Sequence, residues 1–224
     1  MTHAFDRQYW DQIWRGDRAQ AMAASQANPH LVREVGDPPP GTALEAGCGA
    51  GAEAIWLATR GWQVTAVDIA AAALAHAAGR ATAAGVNGKV RWVEADLSTW
   101  QPPGRYDLVT THYAHPAMPQ LDFYDRIASW VAPGGTLLIV GRLHHRDQNS
   151  MAGHDHDHDH GHGHDHGGTE PPASASVTAA DITGRLDPAG WEIVTAQERH
   201  RSLPGPGGHT VAVHDVVVRA HRRH

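Results

Sequence analysis

The chain is predicted to be an α/β protein with a doubly wound, mostly parallel sheet. Short apolar strands alternate with helices along residues 42–140, and a glycine-rich turn separates the first strand from the helix after it. A Pro-Gly-Gly turn precedes the fifth strand. Alternation of this kind implies parallel strands joined by right-handed crossovers. A length of 224 residues suits one such domain and is short for two.

The segment before the sheet is predicted to be helical. Residues 5–24 predict an N-terminal helix, and Asn28-Pro29 begins a second, short helix that ends near Val35. Residues 37–41 contain three consecutive prolines, and proline fixes φ and lacks an amide donor. We therefore expect a stiff connector into the first strand.

Seven strands follow, in two groups. Five are predicted over residues 42–46, 62–67, 89–94, 106–111 and 135–140, with helices over 51–60, 70–84 and 120–131. Later in the chain, residues 178–186 predict a helix, and residues 191–198 and 210–219 predict two strands. These two strands are expected to form an antiparallel pair.

The turn after the first strand predicts a ligand site. Residues 45–51 read Glu-Ala-Gly-Cys-Gly-Ala-Gly, and glycines let a backbone bend tightly and approach a ligand without Cβ atoms in the way. The helix that follows directs free N–H groups to the same place, which suits a carboxylate or phosphate. A nucleotide-like cofactor is the first hypothesis. The stretch also fits the dinucleotide pattern G-x-G-x-x-A, and a plain tight turn is the simpler alternative.

Acidic residues close the next two strands. Asp68 ends the second strand, where it could accept hydrogen bonds from ribose hydroxyls, and Asp96 ends the third. Ligands of open parallel sheets bind outside the carboxyl ends of the strands, where Glu45, Asp68, Asp96 and Thr111 all fall. The alternatives are a helix-capping or solvated carboxylate for Glu45 and Asp68, and a turn residue for Asp96.

Together these motifs resemble the class I S-adenosylmethionine-dependent methyltransferases, and most closely the small single-domain bacterial type. The resemblance covers residues 9–219, with an interruption between 141 and 176. It implies a Rossmann-like, seven-stranded sheet whose last strand is antiparallel, in a single domain over residues 1–224 with an insertion at about 144–176. Five matching motifs occur in order: residues 45–51, Asp68, residues 94–97, residues 106–109 and residues 133–138.

The resemblance also implies S-adenosylmethionine as cofactor and roles for particular residues. Glu45 and the loop residues Gly47, Cys48, Gly49 and Gly51 would face its methionine part, with Thr111 at the same edge of the sheet. Asp68 would hold the ribose, Asp96 would accept from the adenine amino group, and Ile69 and Leu97 would sandwich the ring. Tyr9 and Trp14 would close over the cofactor as a lid, unless they are ordinary core residues.

The implied chemistry is direct displacement, in which the enzyme mainly aligns the reactants and excludes water. A base is needed only if the acceptor must lose a proton. His112 and His115, just past the fourth strand, are the candidates for that base. The alternative for each is that it packs against or caps the loop.

A second unusual feature is the tract over residues 153–168, in which histidines alternate with aspartates and glycines. Imidazole and carboxylate bind Zn²⁺, Ni²⁺, Co²⁺ and Cu²⁺, so divalent metal binding is predicted here. A tolerated low-complexity insertion is the alternative. The predicted ligands are His154, His156, His158, His160, His162, His164 and His166.

Composition limits the partners. The formal net charge is −6 and Lys89 is the only lysine, so we expect a small-molecule acceptor rather than nucleic acid. The single Cys48 suits a reducing compartment, and no signal peptide or membrane span is evident, so we expect a cytoplasmic protein without a membrane partner. Two other functions stay open: an NAD(P)-dependent oxidoreductase and a metal-responsive protein. The first is disfavoured because no second domain is left to hold a substrate.

Overall fold

A computed structural model of the chain describes residues 5–15, 22–36, 39–143, 176–204 and 210–224. The helices are α1 (Arg7–Arg15), α2 (Pro29–Val35), α3 (Ala52–Thr59), α4 (Ala71–Ala83), α5 (Gln120–Ala128) and α6 (Ala179–Thr183). The strands are β1 (Thr42–Ala46), β2 (Gln63–Asp68), β3 (Val90–Glu94), β4 (Tyr106–His112), β5 (Val131–Leu143), β6 (Trp191–Pro204) and β7 (Thr210–Arg222). A 3₁₀ turn, Asn87–Lys89, precedes β3.

All seven strands form one sheet in the order β3-β2-β1-β4-β5-β7-β6. Strands β1 to β5 are parallel, whereas β7 runs antiparallel to both β5 and β6. The last strand in the sequence therefore lies inside the sheet, between its two predecessors. This confirms the predicted α/β, Rossmann-like architecture with an antiparallel last strand.

Both faces of the sheet are covered by helices. Residues along each strand alternate between the two faces, so the apolar strands present apolar side chains to the helices on both. On one face Leu44 packs with Phe123 and Ile127 of α5, and on the other Ala43 packs with Leu57 of α3. Phe123 and Leu57 are fully buried, and burial of such a side chain stabilises the fold by about 1.5–3 kcal/mol.

The short helix α2 has clear local signals. Asn28 caps it, since the side chain accepts a hydrogen bond from the backbone N–H of His30, and Pro29 occupies the first turn. This capped start places Asn28 and His30 against the sheet, and both are buried. The predicted start at Asn28-Pro29 and end near Val35 are therefore confirmed.

Several boundaries differ from prediction. Strand β5 begins at Val131 rather than at residue 135, because Val131 already pairs with Tyr106 before a register shift. Strand β6 continues to Pro204, well beyond the predicted end at residue 198. Of the predicted N-terminal helix, Arg7–Arg15 and residues 22 and 23 are helical, and residues 16–21 lie outside the described residues.

The histidine tract at 153–168 also lies outside the described residues. The division into a single domain with an insertion at about 144–176 stays a prediction, as does a cytoplasmic location. Within the described ranges, every helix is too short or too polar to cross a bilayer.

Candidate active site

A cavity of about 840 Å³ opens at the carboxyl ends of β1 to β4, in the size range typical of small-molecule sites. Most of the predicted site residues line it. They are Tyr9, Trp14, Gly47, Cys48, Gly49, Asp68, Ile69, Asp96, Leu97, His112 and His115. The structure thus brings together residues that are far apart in the sequence.

The glycine loop is shaped by close contacts that a side chain would block. Gly47 has φ of 79°, and a Cβ there would lie 2.3 Å from the Cβ of Ala114. Gly49 has φ of 48°, and a Cβ there would lie 2.9 Å from Cζ2 of Trp14. A side chain at either position would meet both backbone strain and a steric clash. The loop therefore presents bare backbone to the cavity.

Asp68 ties this loop to the end of β2. Its Oδ2 accepts from the Gly49 N–H at 2.8 Å, and its Oδ1 accepts from the Ala70 N–H at 2.9 Å. Burial raises the pKa of Asp68, although the hydrogen bonds from these amides oppose that rise. Each carboxylate oxygen can accept a second hydrogen bond. Asp68 therefore fixes the loop and still offers acceptor sites to a ligand.

The end of the neighbouring strand β3 also contributes to the cavity wall. Asp96 Oδ1 accepts from the Ser98 N–H at 2.8 Å, as in an Asx turn. The apolar side chains of Ile69 and Leu97 line the cavity nearby. A carboxylate beside two apolar side chains is suited to a flat, polar-edged group such as a nucleobase.

Helix α1 closes one side of the cavity with aromatic rings. Trp14 is buried and packs with Ala50, Ala70 and Ala73, so it belongs to a small core beside the glycine loop. Tyr9 meets the ring of Phe5 edge to face, with the centroids 5.4 Å apart. Trp14 therefore packs as a core residue and also lines the cavity, so a core role and contact with a cofactor do not exclude each other.

A buried carboxylate and imidazole meet behind the glycine loop. Glu45 Oε1 lies 3.0 Å from Nδ1 of His112, and both side chains are almost fully buried. Burial raises the pKa of Glu45 well above its ordinary value and lowers the pKa of His112. Neither Glu45 Oε2 nor His112 Nε2 has a hydrogen-bond partner among the described residues. These two atoms are therefore free to hold a proton.

Glu53, at the start of α3, lies close to this pair. Its Oε1 accepts from the Asn28 N–H at 3.0 Å, and burial raises its pKa. Ligand atoms of Glu45, Glu53 and His112 lie within 4.8 Å of one another, a spacing that would also admit a metal ion.

Three predicted residues do not line the cavity. Glu45 lies behind it, and Thr111 is buried, with its hydroxyl donating to the Ala46 carbonyl at 2.8 Å. Gly51 faces the sheet, because a Cβ there would lie 2.6 Å from Cη2 of Trp92. Glu45, Gly51 and Thr111 therefore support the site through packing and hydrogen bonds rather than by lining the cavity.

The sequence reasoning missed a polar group at the far end of the cavity. Tyr113 is the described non-glycine residue with a positive φ, at 56°. Its hydroxyl accepts from Asn28 at 3.1 Å and from Arg201 at 2.7 Å, and donates to Asp215 at 3.0 Å. Arg142 also lines the cavity. No local motif marks the arginines, whereas the position of Tyr113 next to His112 could have pointed to it.

Comparison with known proteins agrees with this geometry. The profile of a family described as a methyltransferase domain matches residues 43–135. A ribosomal RNA small subunit methyltransferase C of Alcanivorax borkumensis is 32% identical over 108 residues, which cover 45% of this chain and 32% of that protein. An uncharacterised methyltransferase of Mycobacterium bovis is 39% identical over 99 residues, which cover 43% of this chain and 48% of that protein. The chain thus spans less than half of the length of these curated relatives.

Solved structures share the fold at low sequence identity. Magnesium protoporphyrin IX methyltransferase from Synechocystis PCC 6803, with S-adenosylmethionine bound, covers 99% of both chains with a TM-score of 0.62 and 17% identity. The 1,6-didemethyltoxoflavin-N1-methyltransferase of Burkholderia thailandensis covers 97% of this chain and 87% of its own, with a TM-score of 0.59 and 19% identity. Residues 43–135 are therefore similar to a methyltransferase domain, and the chain shares the fold of these solved methyltransferases.

Proposed function

We propose that this protein is an S-adenosylmethionine-dependent methyltransferase that acts on a small-molecule acceptor. The observation that carries the proposal is the glycine cradle at the cavity, in which Asp68 holds the Gly49 amide and Gly47 and Gly49 carry no side chain that would clash with Ala114 and Trp14. Such a cradle suits a ligand that approaches the backbone closely.

The residues of the cavity fit S-adenosylmethionine. Asp68 would accept from the ribose hydroxyls, and Asp96 from the adenine amino group, with Ile69 and Leu97 against the ring. Gly47, Cys48 and Gly49 would lie along its methionine part. When bound, the cofactor supplies an electrophilic methyl group on a sulfonium sulfur. The other task of the chain is to align the acceptor and exclude water, which the buried Trp14 and the rings of α1 support.

For acceptors that must lose a proton, we propose His112 as the base and Glu45 as its positioning residue. Burial lowers the pKa of His112, so its imidazole is neutral near pH 7 and can accept a proton. The contact with Glu45 occupies Nδ1 and leaves Nε2 for that proton. His115 remains a second candidate, since it also lines the cavity, where its Nδ1 lies 3.1 Å from Oε1 of Gln120.

The size of the cavity and the net charge of −6 support a small-molecule acceptor. The Alcanivorax relative is named for ribosomal RNA, and the Burkholderia neighbour was solved with a small heterocycle. A surface for RNA is expected to carry clustered lysine and arginine, and this chain has one lysine. The balance of charge therefore favours the small molecule.

Isothermal titration calorimetry with S-adenosylhomocysteine tests the cofactor. We expect one site per chain for S-adenosylhomocysteine and no heat with NADH. The Asp68→Ala variant should bind at least about tenfold more weakly, because charge-assisted hydrogen bonds contribute about 1.5–3 kcal/mol. Absence of binding by the wild-type protein, or tighter binding of NADH, would reject the proposal.

We also propose that the tract at 153–168 binds a divalent metal such as Ni²⁺ or Zn²⁺. The support is its composition, seven histidines interleaved with aspartates and glycines. Within the methyltransferase proposal, this metal would order an acceptor-covering segment or hold an acceptor. The rival proposal is that metal response is the main function and the methyltransferase fold is a scaffold.

A further inference from the structure

The order of the strands places side chains of opposite charge at the two ends of the cavity. Asp68 ends β2 and Asp96 lies just after β3, and these two strands form one side of the sheet. Arg142 and Arg201 lie on β5 and β6 on the other side. All four side chains belong to residues that line the cavity. One end is thus acidic, and the other carries two guanidinium groups.

The charge of Arg201 is already balanced. Asp215, on β7, is fully buried and accepts a hydrogen bond from Arg201 Nε, and its Oδ2 also lies 2.9 Å from Nε2 of His30. Although burial opposes ionisation, the hydrogen bonds from His30 and Arg201 lower the pKa of Asp215. Asp215 is therefore a carboxylate whose charge is committed to Arg201.

Arg142 has no such counter-ion. Asp215 lies opposite Arg142 on the adjacent strand β7, but its carboxylate already forms a salt bridge with Arg201. Within the described ranges, Arg142 makes no salt bridge, and its Nε is buried without a hydrogen-bond partner. Burying an unpaired guanidinium atom is costly unless a ligand pairs with it. The unpaired fork of Arg142 therefore points to an anionic ligand.

Tyr113 holds both arginines in place. The Cζ atom of Arg142 lies 5.4 Å from the centroid of the Tyr113 ring, and Arg201 donates to the Tyr113 hydroxyl. The positive φ of Tyr113 is uncommon for a tyrosine and costs free energy that the surrounding contacts must offset. A stacked guanidinium keeps its edge free for bidentate binding of a carboxylate.

Aromatic rings line another part of the cavity. Phe5 stacks with Trp10 at 6.0 Å and with His115 at 5.6 Å between centroids, and all three residues line the cavity. Flat rings prefer offset or edge contacts with other flat rings. A ligand with an aromatic body and an acid group would use both this wall and Arg142.

Resting on the proposed function, we infer that the methyl acceptor is an aromatic carboxylic acid whose carboxylate binds Arg142. The acid group would pair with the unpartnered guanidinium, and the ring would lie against Phe5 and Trp10. The carboxylate of the cofactor's methionine part would compete for Arg142, and the test below separates the two.

The test is calorimetric and needs no turnover. The wild-type protein, saturated with S-adenosylhomocysteine, is titrated with benzoate, benzamide and benzylamine, which share a ring and differ in charge. Benzoate should bind at least about tenfold more tightly than benzamide, as expected for a charge-assisted bidentate pair, and benzylamine should give no heat. Arg142→Met should weaken benzoate at least tenfold, whereas Arg142→Lys should retain part of the affinity.

Arg60→Met is the matched control, because Arg60 stacks on Trp56 at 3.7 Å but does not line the cavity. It should leave the affinity for benzoate unchanged. Equal affinity for benzoate and benzamide, no benzoate binding at millimolar concentration, or an unaltered Arg142→Met titration would overturn the inference. A loss of S-adenosylhomocysteine affinity in Arg142→Met would also overturn it, by assigning Arg142 to the cofactor. Failure of S-adenosylhomocysteine to bind the wild type would instead reject the proposed function.

Discussion

Glu45 and His112 face each other across β1 and β4, with Oε1 and Nδ1 3.0 Å apart and both side chains almost fully buried. Their burial shifts the two pKa values in opposite directions, upward for Glu45 and downward for His112. Both shifts favour neutral side chains. One shared proton between the two groups therefore satisfies the contact without a buried ion pair.

Replacing Glu45 by Gln should change how stability depends on pH. Because the folded-state pKa of Glu45 is raised above 4.5, its contribution is fully present below about pH 4.5 and is lost as pH rises through the folded value. His112 acts in the opposite sense, since its lowered pKa gives a contribution that is present above about pH 6.5 and is lost as pH falls. The stability advantage of the wild type over Glu45→Gln should therefore shrink as pH rises.

Urea unfolding at pH 5, 6, 7 and 8 measures this difference. Asp122→Asn, at an exposed position on α5 where the side chain pairs with Arg185, is the control and should give nearly the same difference at each pH. The expectation is wrong if the difference in unfolding free energy between the wild type and Glu45→Gln stays constant or grows as pH rises.

Asp68 and Asp107 offer a matched pair of carboxylates that hold backbone amides at opposite ends of the sheet. Asp68 accepts from Gly49 beside the cavity, and Asp107 accepts from Thr42 N–H at 2.8 Å at the start of β1. Asp68→Ala should lose about 1–3 kcal/mol of unfolding free energy, because the amides that it holds at the buried loop lose their partner, and Asp107→Ala about 0.5–1.5 kcal/mol, because its amide partner is exposed. Only Asp68→Ala should weaken S-adenosylhomocysteine, and equal weakening in Asp107→Ala would point to a general loss of order.

Gly49→Ala tests the glycine cradle. The new Cβ would meet Trp14 at 2.9 Å and adopt an unfavourable positive φ, so cofactor affinity should fall at least about tenfold. Gly85→Ala is the control, since Gly85 also has a positive φ of 70° but no atom within 4 Å of the new Cβ. Both variants should lose about 1–3 kcal/mol of stability from strain. Calorimetric titration with S-adenosylhomocysteine should separate them, and equal affinities would argue against a cradle.

Tyr113→Phe should loosen the network around Asp215. The variant removes one donor to Asp215 and the acceptor of Arg201, so the free energy of unfolding should fall by about 1–3 kcal/mol. The ring remains, so Arg142 keeps its stacking surface. Benzoate affinity should consequently change less in Tyr113→Phe than in Arg142→Met, and the reverse order would show that the hydroxyl is the larger determinant.

The histidine tract can be tested by replacing its seven histidines with serine. Calorimetry with NiCl₂ should give binding in the wild type and a loss of at least about tenfold in the variant, because serine does not replace imidazole as a ligand. Affinity for S-adenosylhomocysteine should stay unchanged. Residual strong Ni²⁺ binding would direct attention to Glu45, Glu53 and His112 instead.

Much of the fold could be predicted because its signals are local. The capped start of α2 at Asn28 and the glycine loop are read directly from neighbouring residues, and both agree with the structure. Alternation of strands and helices then limits the topology to few possibilities. The end of β6 could not be predicted in the same way, since its extension to Pro204 depends on pairing with β7 and not on the residues of β6 itself.

The candidate site was predictable only where function requires unusual backbone. Glycines in a turn and carboxylates at strand ends are recognisable in the sequence, whereas no sequence motif surrounds Arg142 or Arg201. They reach the cavity because β7 pairs with both β5 and β6 and so brings these two strands to the same edge of the sheet. Such pairing between distant segments cannot be predicted from the residues around each arginine. Likewise, the contact between Glu45 and His112 follows from the adjacency of β1 and β4.

The position of β7 has a consequence for how the chain is made. Because Thr210–Arg222 sits between β5 and β6, β5 has only β4 as a neighbour and β6 has no strand neighbour until this segment has left the ribosome. Until then two long strand edges stay open, and such edges readily pair with other chains. A nascent chain stalled before residue 210 should therefore be a target for chaperones and prone to aggregate.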